Sequence, residues 1–297
     1  MKNKDYIGYL KYRLIRSKNI LKNTVKTYQA TNKEVYIAIC VNEGFISQAS
    51  VLIKSMINIR SRIKLYILNI SLNNQHINLL RQICPINVTI EEIRIDAKEL
   101  VNLPISNKWP IEAWARILIP KYIQCNRVLY LDSDCVIVDD IRELFTCDLN
   151  DYWIAGVQSP FAKERSEAIG CDRKGINSGV CLMNLDKLRE GNFIEKVIEY
   201  GTNNFDKLVM PDQDSINYIC RGRILSLDPK YNLMNIFLAY NHKAFADKIN
   251  DLYYDKIKYN EAKNFPKIIH YNGGPFERPW NKGGVPHPYR EIYKYYS

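Results

Sequence analysis

Short apolar, β-branched runs alternate with segments of helical periodicity from residue 35 onward. The runs that predict strands are 35–40, 65–70, 88–95, 128–131, 152–157, 180–184 and 267–271. The segments that predict helices are 47–58 with Ser47 as N-cap, 73–83, 111–119, 186–200 and one beginning near Pro211. Alternation in units of about 30 residues requires crossover connections, so it predicts an α/β protein with a largely parallel sheet covered by helices.

Three regions follow from the same pattern. Residues 34–280 form one body without an internal repeat or a dividing linker, residues 281–297 form a Tyr-rich C-terminal tail, and residues 1–33 form an N-terminal extension. The extension carries apolar residues at helical spacing, including Ile7, Leu10 and Leu14, flanked by lysines and arginines. Two interpretations stay open: a helix attracted to an anionic membrane, or a helix packed on the body with a solvated basic face.

The net charge of +10 is concentrated in that extension. Residues 1–33 hold nine Lys/Arg and one acid, a net +8, so the other 33 bases and 31 acids leave the rest of the 297-residue chain at +2. A nucleic-acid-binding domain spreads its basic patch over a folded face. The distribution therefore argues against a nucleic-acid partner.

The cysteines and the hydropathy indicate the compartment. Eight cysteines occur without any CxxC pair, a pattern that fits neither a zinc site nor a disulfide framework and that suits a reducing cytoplasm. No apolar run approaches the ~20 residues of a membrane span, and the first residues carry too many charges for a secretory signal. We expect a cytoplasmic protein, with the basic extension available for peripheral contact with the inner face of the membrane.

The strongest chemical signal is a buried strand, 128–131, that runs directly into Asp132-Ser133-Asp134. Residues i and i+2 of an extended backbone point to the same side, so the two carboxylates can converge. Adjacent carboxylates repel unless a cation lies between them, and Mg²⁺ or Mn²⁺ prefers such ligands. An Asp-rich turn without a metal gives the same short pattern and is the competing interpretation.

Three further segments are weaker signals by themselves. His270 ends an apolar strand and precedes a glycine loop that leads to Arg278-Pro279-Trp280, but a lone histidine there is commonly structural. Pro211-Asp212-Gln213-Asp214 is also an ordinary helix N-terminus. Asn177-Ser178-Gly179 is a polar turn before a strand. The chain has no GxGxxG motif after the first strand and no GxxxxGK[ST] motif anywhere. The phosphates of a bound nucleotide would therefore need another source of positive charge, for which a metal is the obvious candidate.

Taken in order, these segments resemble glycosyltransferase family 8 over residues 35–280. The matching pieces are IAIC with the helix ending Lys54-Ser55, then Trp114-Ala115-Arg116, YLDSDCVIVDDIRELF, NSGVCLMNLDKLR, PDQDS and HYNG…RPW. The family is retaining and nucleotide-sugar-dependent, and it includes bacterial lipopolysaccharide α-galactosyltransferases and glycogenin. The resemblance implies a GT-A fold, with a Rossmann-like, mainly parallel sheet flanked by helices in a single catalytic domain, 34–280.

The resemblance also implies the site residues. It assigns Asp132, Asp134 and His270 to a Mn²⁺ (or Mg²⁺) ion, and Gln213 with Asp212 to the positioning and polarising of the donor sugar. The residues implied to contact a UDP-hexose are Cys40, Asn42, Arg116, Asp132, Ser133, Asn177, Ser178, Gly179, Asp212, Gln213, Gly273 and Arg278. The chain departs from the family pattern at Asn42, where aspartate is usual, and at Arg278, where lysine is common.

The expected function is retaining transfer of galactose or glucose from a UDP-sugar to a glycan or lipid-linked acceptor, for cell-surface polysaccharide synthesis. The loops at 158–174 and 239–263 are expected to shape the acceptor site. Two alternatives stay open: a metal-dependent nucleotidyltransferase, which would need the same paired carboxylates, and a non-catalytic protein that binds membranes or polyanions through the basic extension.

Overall fold

The structure, a computed structural model, describes residues 31–104, 110–159, 168–171, 175–249 and 254–297. The predicted basic helix falls outside these residues, as do parts of the two loops expected to shape the acceptor site. Among the described helices, none is both long enough and apolar enough to span a bilayer.

Ten strands of the described chain form two sheets. They are β1 Thr31–Cys40, β2 Ser61–Asn69, β3 Val88–Arg94, β4 Arg127–Leu131, β5 Cys135–Ile137, β6 Ile154–Gln158, β7 Ile176–Asn184, β8 Ile224–Ser226, β9 Leu233–Met234 and β10 Ile268–His270. The main sheet has the order β3-β2-β1-β4-β7-β6-β8, and the small sheet has the order β5-β10-β9. In the main sheet β7 is antiparallel to both of its neighbours, and the other neighbouring pairs are parallel. The predicted mainly parallel α/β architecture is confirmed.

Helices cover both faces of the main sheet. They are α1 Ile46–Ser55, α2 Asn74–Gln82, α3 Ile111–Trp114, α4 Ile119–Tyr122, α5 Leu185–Glu190, α6 Phe193–Asn203, α7 Pro211–Cys220, α8 Asn235–Ala239, α9 His242–Ile249, α10 Lys256–Asn264 and α11 Arg290–Tyr296. Side chains of β1 alternate between the two cores: Val35, Ile37 and Ile39 pack on one face, and Ala38 and Cys40 pack on the other. This period of two follows from the pleat of an extended chain.

Three helix predictions need correction. Ser47 is not an N-cap, because a 3₁₀ turn over Glu43–Phe45 runs directly into α1 and places Ser47 inside the helix. The predicted helix 111–119 is divided into α3, a 3₁₀ turn and α4, because Pro120 near the start of α4 has no N–H for the preceding turn. The predicted helix 186–200 is two helices, since Asn192 between them has a left-handed backbone with φ of 51°.

The short strands β5, β8 and β9 were not predicted from the sequence. Two or three residues are too few for a period to be visible, and these strands exist because the neighbouring strands supply hydrogen-bond partners.

The C-terminal segment is integrated into the core rather than trailing from it. Tyr289, Ile292 and Tyr296 are buried, and the Tyr296 hydroxyl accepts a hydrogen bond of 2.7 Å from the Asn58 side chain. The Tyr271 hydroxyl, next to His270, donates to the carbonyl of Tyr289 at 2.9 Å. The end of the chain therefore packs directly behind β10.

Candidate active site

The carboxyl ends of β1 and β4 and the amino end of β7 meet at one edge of the main sheet. β4 is parallel to β1 and antiparallel to β7, with Leu131 opposite Val180. The backbone N–H of Asp132 donates to the carbonyl of Gly179 at 2.7 Å. The sheet register therefore places the Asp132-Ser133-Asp134 segment directly against residues 177–179. The sequence predicted a polar turn there, but the structure places these residues in β7, because the strand begins at Ile176 and pairs with β6 from that residue on.

The small sheet brings His270 to the same point. β10 pairs antiparallel with β5, which puts His270 opposite Cys135. The His270 Nε2 atom lies 3.0 Å from Asp134 Oδ1 and 3.8 Å from Asp132 Oδ2. Gly179 borders this cluster so closely that a Cβ there would stand 2.4 Å from Asp132 Oδ2 and 2.5 Å from His270 Cε1. The two aspartates lie close together, as their spacing predicted, and the histidine joins them at the position that the resemblance implied.

Charge and burial act against each other in this cluster. Burial alone would lower the pKa of His270, but the Asp134 carboxylate, with a contribution from Asp132, raises it. Burial alone would raise the pKa of Asp134, but the charge and hydrogen bond of His270, together with the charge of Arg278, hold that pKa below its usual value. The imidazole and the carboxylates therefore each stabilise the charged form of the other.

The donor set fits a hard divalent cation. Asp134, Cys135 and His270 offer ligand atoms that all lie within 4.8 Å of one another. Burial raises the pKa of the Cys135 thiol well above its usual range, and its sulfur is a soft ligand, which Mn²⁺ and Mg²⁺ bind less readily than oxygen. The Asp132 carboxylate lies across the imidazole at 3.8 Å and supplies the oxygen donor that Mn²⁺ or Mg²⁺ prefers. Asp132, Asp134 and His270 are therefore the residues that would hold the ion.

Arg116 joins the cluster to α7. Its guanidinium is 3.0 Å from Asp132 Oδ1 and 3.2 Å from Asp212 Oδ2, and it donates to the Ser178 hydroxyl at 3.0 Å. It also lies over the Tyr130 ring at 4.5 Å. Burial alone would lower the pKa of Arg116, but Asp132, Tyr130 and Asp212 raise it well above its usual value. The group is a permanent cation buried between two carboxylates.

Asp212 lies in the first turn of α7 and is almost fully buried. Burial raises its pKa above the usual value, and the opposing effect of Arg116 does not cancel this. Its carboxylate is committed to Arg116, so its geometry suits a fixed structural anion beside the site.

Gln213, the next residue of α7, bridges to the start of β7. Its Oε1 accepts from the Asn177 side-chain amide at 3.0 Å and from the backbone N–H of Ser178 at 3.1 Å. Asn177 Oδ1 accepts from the backbone N–H of Gly179 at 3.2 Å. These predicted sugar contacts form one hydrogen-bonded group, adjacent to Arg116 through Ser178.

The predicted nucleoside contacts lie at the end of β1. Burial raises the pKa of the Cys40 thiol to about 12, so Cys40 is a packing group rather than a reactive one. Asn42 follows in the next loop, and its buried Oδ1 atom has no hydrogen-bond partner among the described residues. Ser133 is buried between the two aspartates. The buried Asn42 Oδ1 atom is therefore a position where a bound ligand could donate a hydrogen bond.

The glycine loop after β10 closes the site from another side. A Cβ on Gly273 would meet nothing within 4 Å, so this part of the loop is open to a ligand. Arg278 is half-buried with its guanidinium 5.6 Å from the Trp280 ring centre. Its charge helps to lower the pKa of Asp134.

Three buried residues that the sequence analysis missed support these groups. Asn232 Oδ1 is 3.0 Å from His270 Nδ1. Asn235 accepts from His287 Nε2 at 2.7 Å, and it bonds the loop residue Asn272 through both its backbone N–H and its side-chain amide. The available signal was two asparagines inside the apolar run Tyr231–Phe237, positions at which amides are buried only when fully bonded.

A model of the glycosyl transferase family 8 matches residues 36–284 of the chain. General stress protein A of Bacillus subtilis is 30% identical over 216 residues, which cover 70% of this chain and 72% of that protein. Lipopolysaccharide 1,2-glucosyltransferase of Escherichia coli is 25% identical over 312 residues, which cover 95% and 91% of the two chains. Several streptococcal relatives are longer, and the alignments span 35% to 60% of their length.

Among solved structures, galactosyltransferase LgtC, crystallised with donor and acceptor sugar analogues, superposes with a TM-score of 0.73. The superposition covers 88% of this chain and 95% of LgtC at 20% sequence identity. At that identity the likeness establishes the fold, and it confirms the GT-A architecture and the single domain that the resemblance implied.

Proposed function

Because the chain belongs to glycosyltransferase family 8, we propose that it is a retaining enzyme that moves galactose or glucose from a UDP-hexose to a glycan or lipid-linked acceptor. The observation that carries this proposal is the convergence of Asp132, Asp134 and His270 beside the polar pocket of Arg116 and Gln213. A nucleotide sugar presents both needs together: a diphosphate whose charge must be neutralised, and a hexose whose hydroxyls need hydrogen-bond partners.

Three groups of residues around the site have a role in this proposal: the metal ligands, the glycine loop and the end of β1. Mn²⁺ or Mg²⁺ held by Asp132, Asp134 and His270 would act as a Lewis acid on the diphosphate leaving group. Arg278 would bind a phosphate oxygen, as guanidinium groups do, from the loop that Gly273 leaves open. The end of β1 would contact the nucleoside, where Asn42 Oδ1 lacks a partner among the described side chains and backbone groups.

Retention is proposed to proceed on one face of the sugar. A two-step reaction needs a carboxylate nucleophile, but Gln213 is neutral and its Oε1 already accepts two hydrogen bonds. Asp212 is engaged by Arg116 at 3.2 Å. The bond from the anomeric carbon to the leaving phosphate oxygen would break, the acceptor oxygen would bond on the same face, and its proton would pass to the departing phosphate.

Release of UDP tests the reaction class. The protein is incubated with a panel of UDP-sugars and Mn²⁺, and free UDP is measured against pyrophosphate. We expect UDP release that EDTA abolishes and that Asp134→Asn abolishes, while the exposed matched change Asp206→Asn leaves it intact. Pyrophosphate as the product would indicate nucleotidyl transfer instead, and full activity after exhaustive chelation would refute the metal assignment.

Proton NMR of the first-formed product tests the stereochemistry. An α-linked UDP-sugar should give an α-linked product. A β-linked product would refute retention and with it the same-face mechanism.

We also propose that residues 1–33 attach the enzyme to the cytoplasmic leaflet. The support is their net charge of +8, since each base near an anionic leaflet contributes about 1 kcal/mol. The full chain should co-sediment with vesicles that contain anionic lipid at low salt, and removal of residues 1–30 should abolish this co-sedimentation. No sedimentation of the full chain would refute the attachment. Insoluble truncated protein would instead indicate that the extension packs on the body.

A further inference from the structure

Two backbone N–H groups fix the direction of a chain of side-chain hydrogen bonds in the pocket. The N–H of Gly179 can only donate, so the Asn177 atom that receives it at 3.2 Å is the carbonyl oxygen. The N–H of Ser178 likewise identifies Gln213 Oε1 as an acceptor, and the Asn177 amide nitrogen donates to that same oxygen. The two backbone donors thus determine the orientation of both side-chain amides, and the hydrogen bond between the amides agrees with it.

Asn232 extends this chain to His270. Since Asn177 Oδ1 is an acceptor, the Asn232 atom 2.9 Å away must be the amide nitrogen. The other end of the carboxamide, Oδ1, then faces His270 Nδ1 at 3.0 Å and can only accept. Nδ1 therefore carries the proton, and Nε2 is the nitrogen directed toward Asp132 and Asp134.

We propose that Asn232 is a positioning residue that holds the Nδ1 proton of His270, leaves Nε2 free for the divalent cation, and ties this arrangement to the sugar pocket through Asn177. The inference rests on the proposed metal-dependent function. It adds a residue that contacts neither the cation nor the donor sugar but fixes the ring that would bind the cation.

The burial of Asn232 makes this role hard to replace. Asn232 is fully buried and His270 is 2% exposed, so bulk water cannot take over the hydrogen bond to Nδ1. Outer-sphere partners of metal-bound histidines commonly change metal affinity by about 10- to 100-fold when they are removed. The link to Asn177 also means that displacement of the sugar-pocket amides would shift the imidazole.

Three variants separate positioning from general stability. Asn232→Leu removes both hydrogen bonds at similar volume. Asn232→Asp keeps an acceptor for Nδ1 but loses the donor to Asn177. Asn87→Leu is the matched control, because Asn87 is also a buried asparagine and bonds the backbone of Met56, Ile59 and Ser61, far from the site.

Two measurements are made on each protein, with thermal unfolding as a check on folding. Mn²⁺ affinity is measured by electron paramagnetic resonance, and the Nδ1 proton of His270 is observed by ¹H–¹⁵N NMR in the Mg²⁺-saturated protein. We expect Asn232→Leu to bind Mn²⁺ at least about tenfold more weakly and to lose the slowly exchanging Nδ1 signal. Asn232→Asp should keep both the affinity and the signal but raise the KM for the sugar donor. Asn87→Leu should unfold at a lower temperature than the wild type but bind Mn²⁺ with unchanged affinity.

The outcomes distinguish the inference from the proposed function. If wild-type protein binds no Mn²⁺, the metal-dependent function fails. If wild-type protein binds Mn²⁺ and Asn232→Leu binds it equally well, only the role of Asn232 fails. Equal losses in the Leu and Asp variants, both folded, would also overturn it, because the conservative acceptor would not have rescued the site.

Discussion

Replacement of Gly179 by alanine should weaken Mn²⁺ binding, an effect that the accompanying loss of stability does not by itself produce. The backbone of Gly179 is one that alanine can adopt, so space alone decides the result. The added Cβ would stand 2.4 Å from Asp132 Oδ2 and 2.5 Å from His270 Cε1, whereas ordinary contact begins at 3.4 Å. Each ligand group would therefore have to retreat by about 1 Å, the difference between those distances.

The displacement of the Asp132 and His270 side chains determines how much the Mn²⁺ affinity should fall. Metal–ligand distances tolerate displacements of roughly 0.2 Å, so a displacement about five times larger should reduce Mn²⁺ affinity by ~10-fold or more. The overpacking itself should lower the free energy of unfolding by about 1–3 kcal/mol.

Gly156→Ala provides the matched control. A Cβ on Gly156 would stand 2.5 Å from the Ile176 side chain, an equally close contact that involves neither Asp132 nor His270. Urea unfolding should show similar losses of stability in the two variants. Titration with Mn²⁺ should show weakened binding in Gly179→Ala alone. Unchanged Mn²⁺ binding in Gly179→Ala, or an equal loss in Gly156→Ala, would refute the assignment of this glycine to the cation cradle.

Three further predictions use other parts of the site. Iodoacetamide should alkylate Cys40 and Cys181 in the native protein only slowly at about pH 8 and faster as the pH rises. Burial raises the pKa of both thiols to about 12, and only the thiolate reacts. Rapid labelling of the native protein, measured by peptide mass mapping, would contradict this. Arg116→Met should lower the free energy of unfolding in urea by about 3–5 kcal/mol, because it leaves the buried Asp212 carboxylate without its counter-ion. Asp212→Asn should restore part of the loss in the double variant. His287→Asn should weaken the binding of UDP with Mn²⁺, measured by calorimetry, about fivefold, because His287 supports the glycine loop through Asn235 and Asn272. His287→Gln can still donate at the Nε2 position and should bind nearly as the wild type does. Equal binding by the two variants would refute this role of His287.

The sequence by itself determined the fold class and the pairing of the two carboxylates in the proposed metal site. Strand and helix periods alternate strongly enough to specify a mainly parallel α/β sheet, because burial on two faces requires apolar residues at each period. Asp132 and Asp134 are two residues apart, so local geometry alone puts their carboxylates on one side. The apolar period continues through Asn192 and up to Pro120, but the backbone at these residues interrupts the helix, so each predicted single helix is divided in the structure.

Only the tertiary structure decided which distant groups share the site. His270 and Asp134 are far apart in the chain, and they meet because β10 pairs with β5. Cys135 lies as near as a metal ligand would, but Mn²⁺ and Mg²⁺ prefer oxygen ligands to its sulfur, so the donor set depends on both position and ligand type. In the sequence Asn232 is a polar residue within an apolar run, and its role depends on which buried groups face the nitrogen and the oxygen of its side-chain amide. Hydrogen-bond partners across a core are set by packing and strand register, and for this reason the pattern along the chain could locate the site but not complete it.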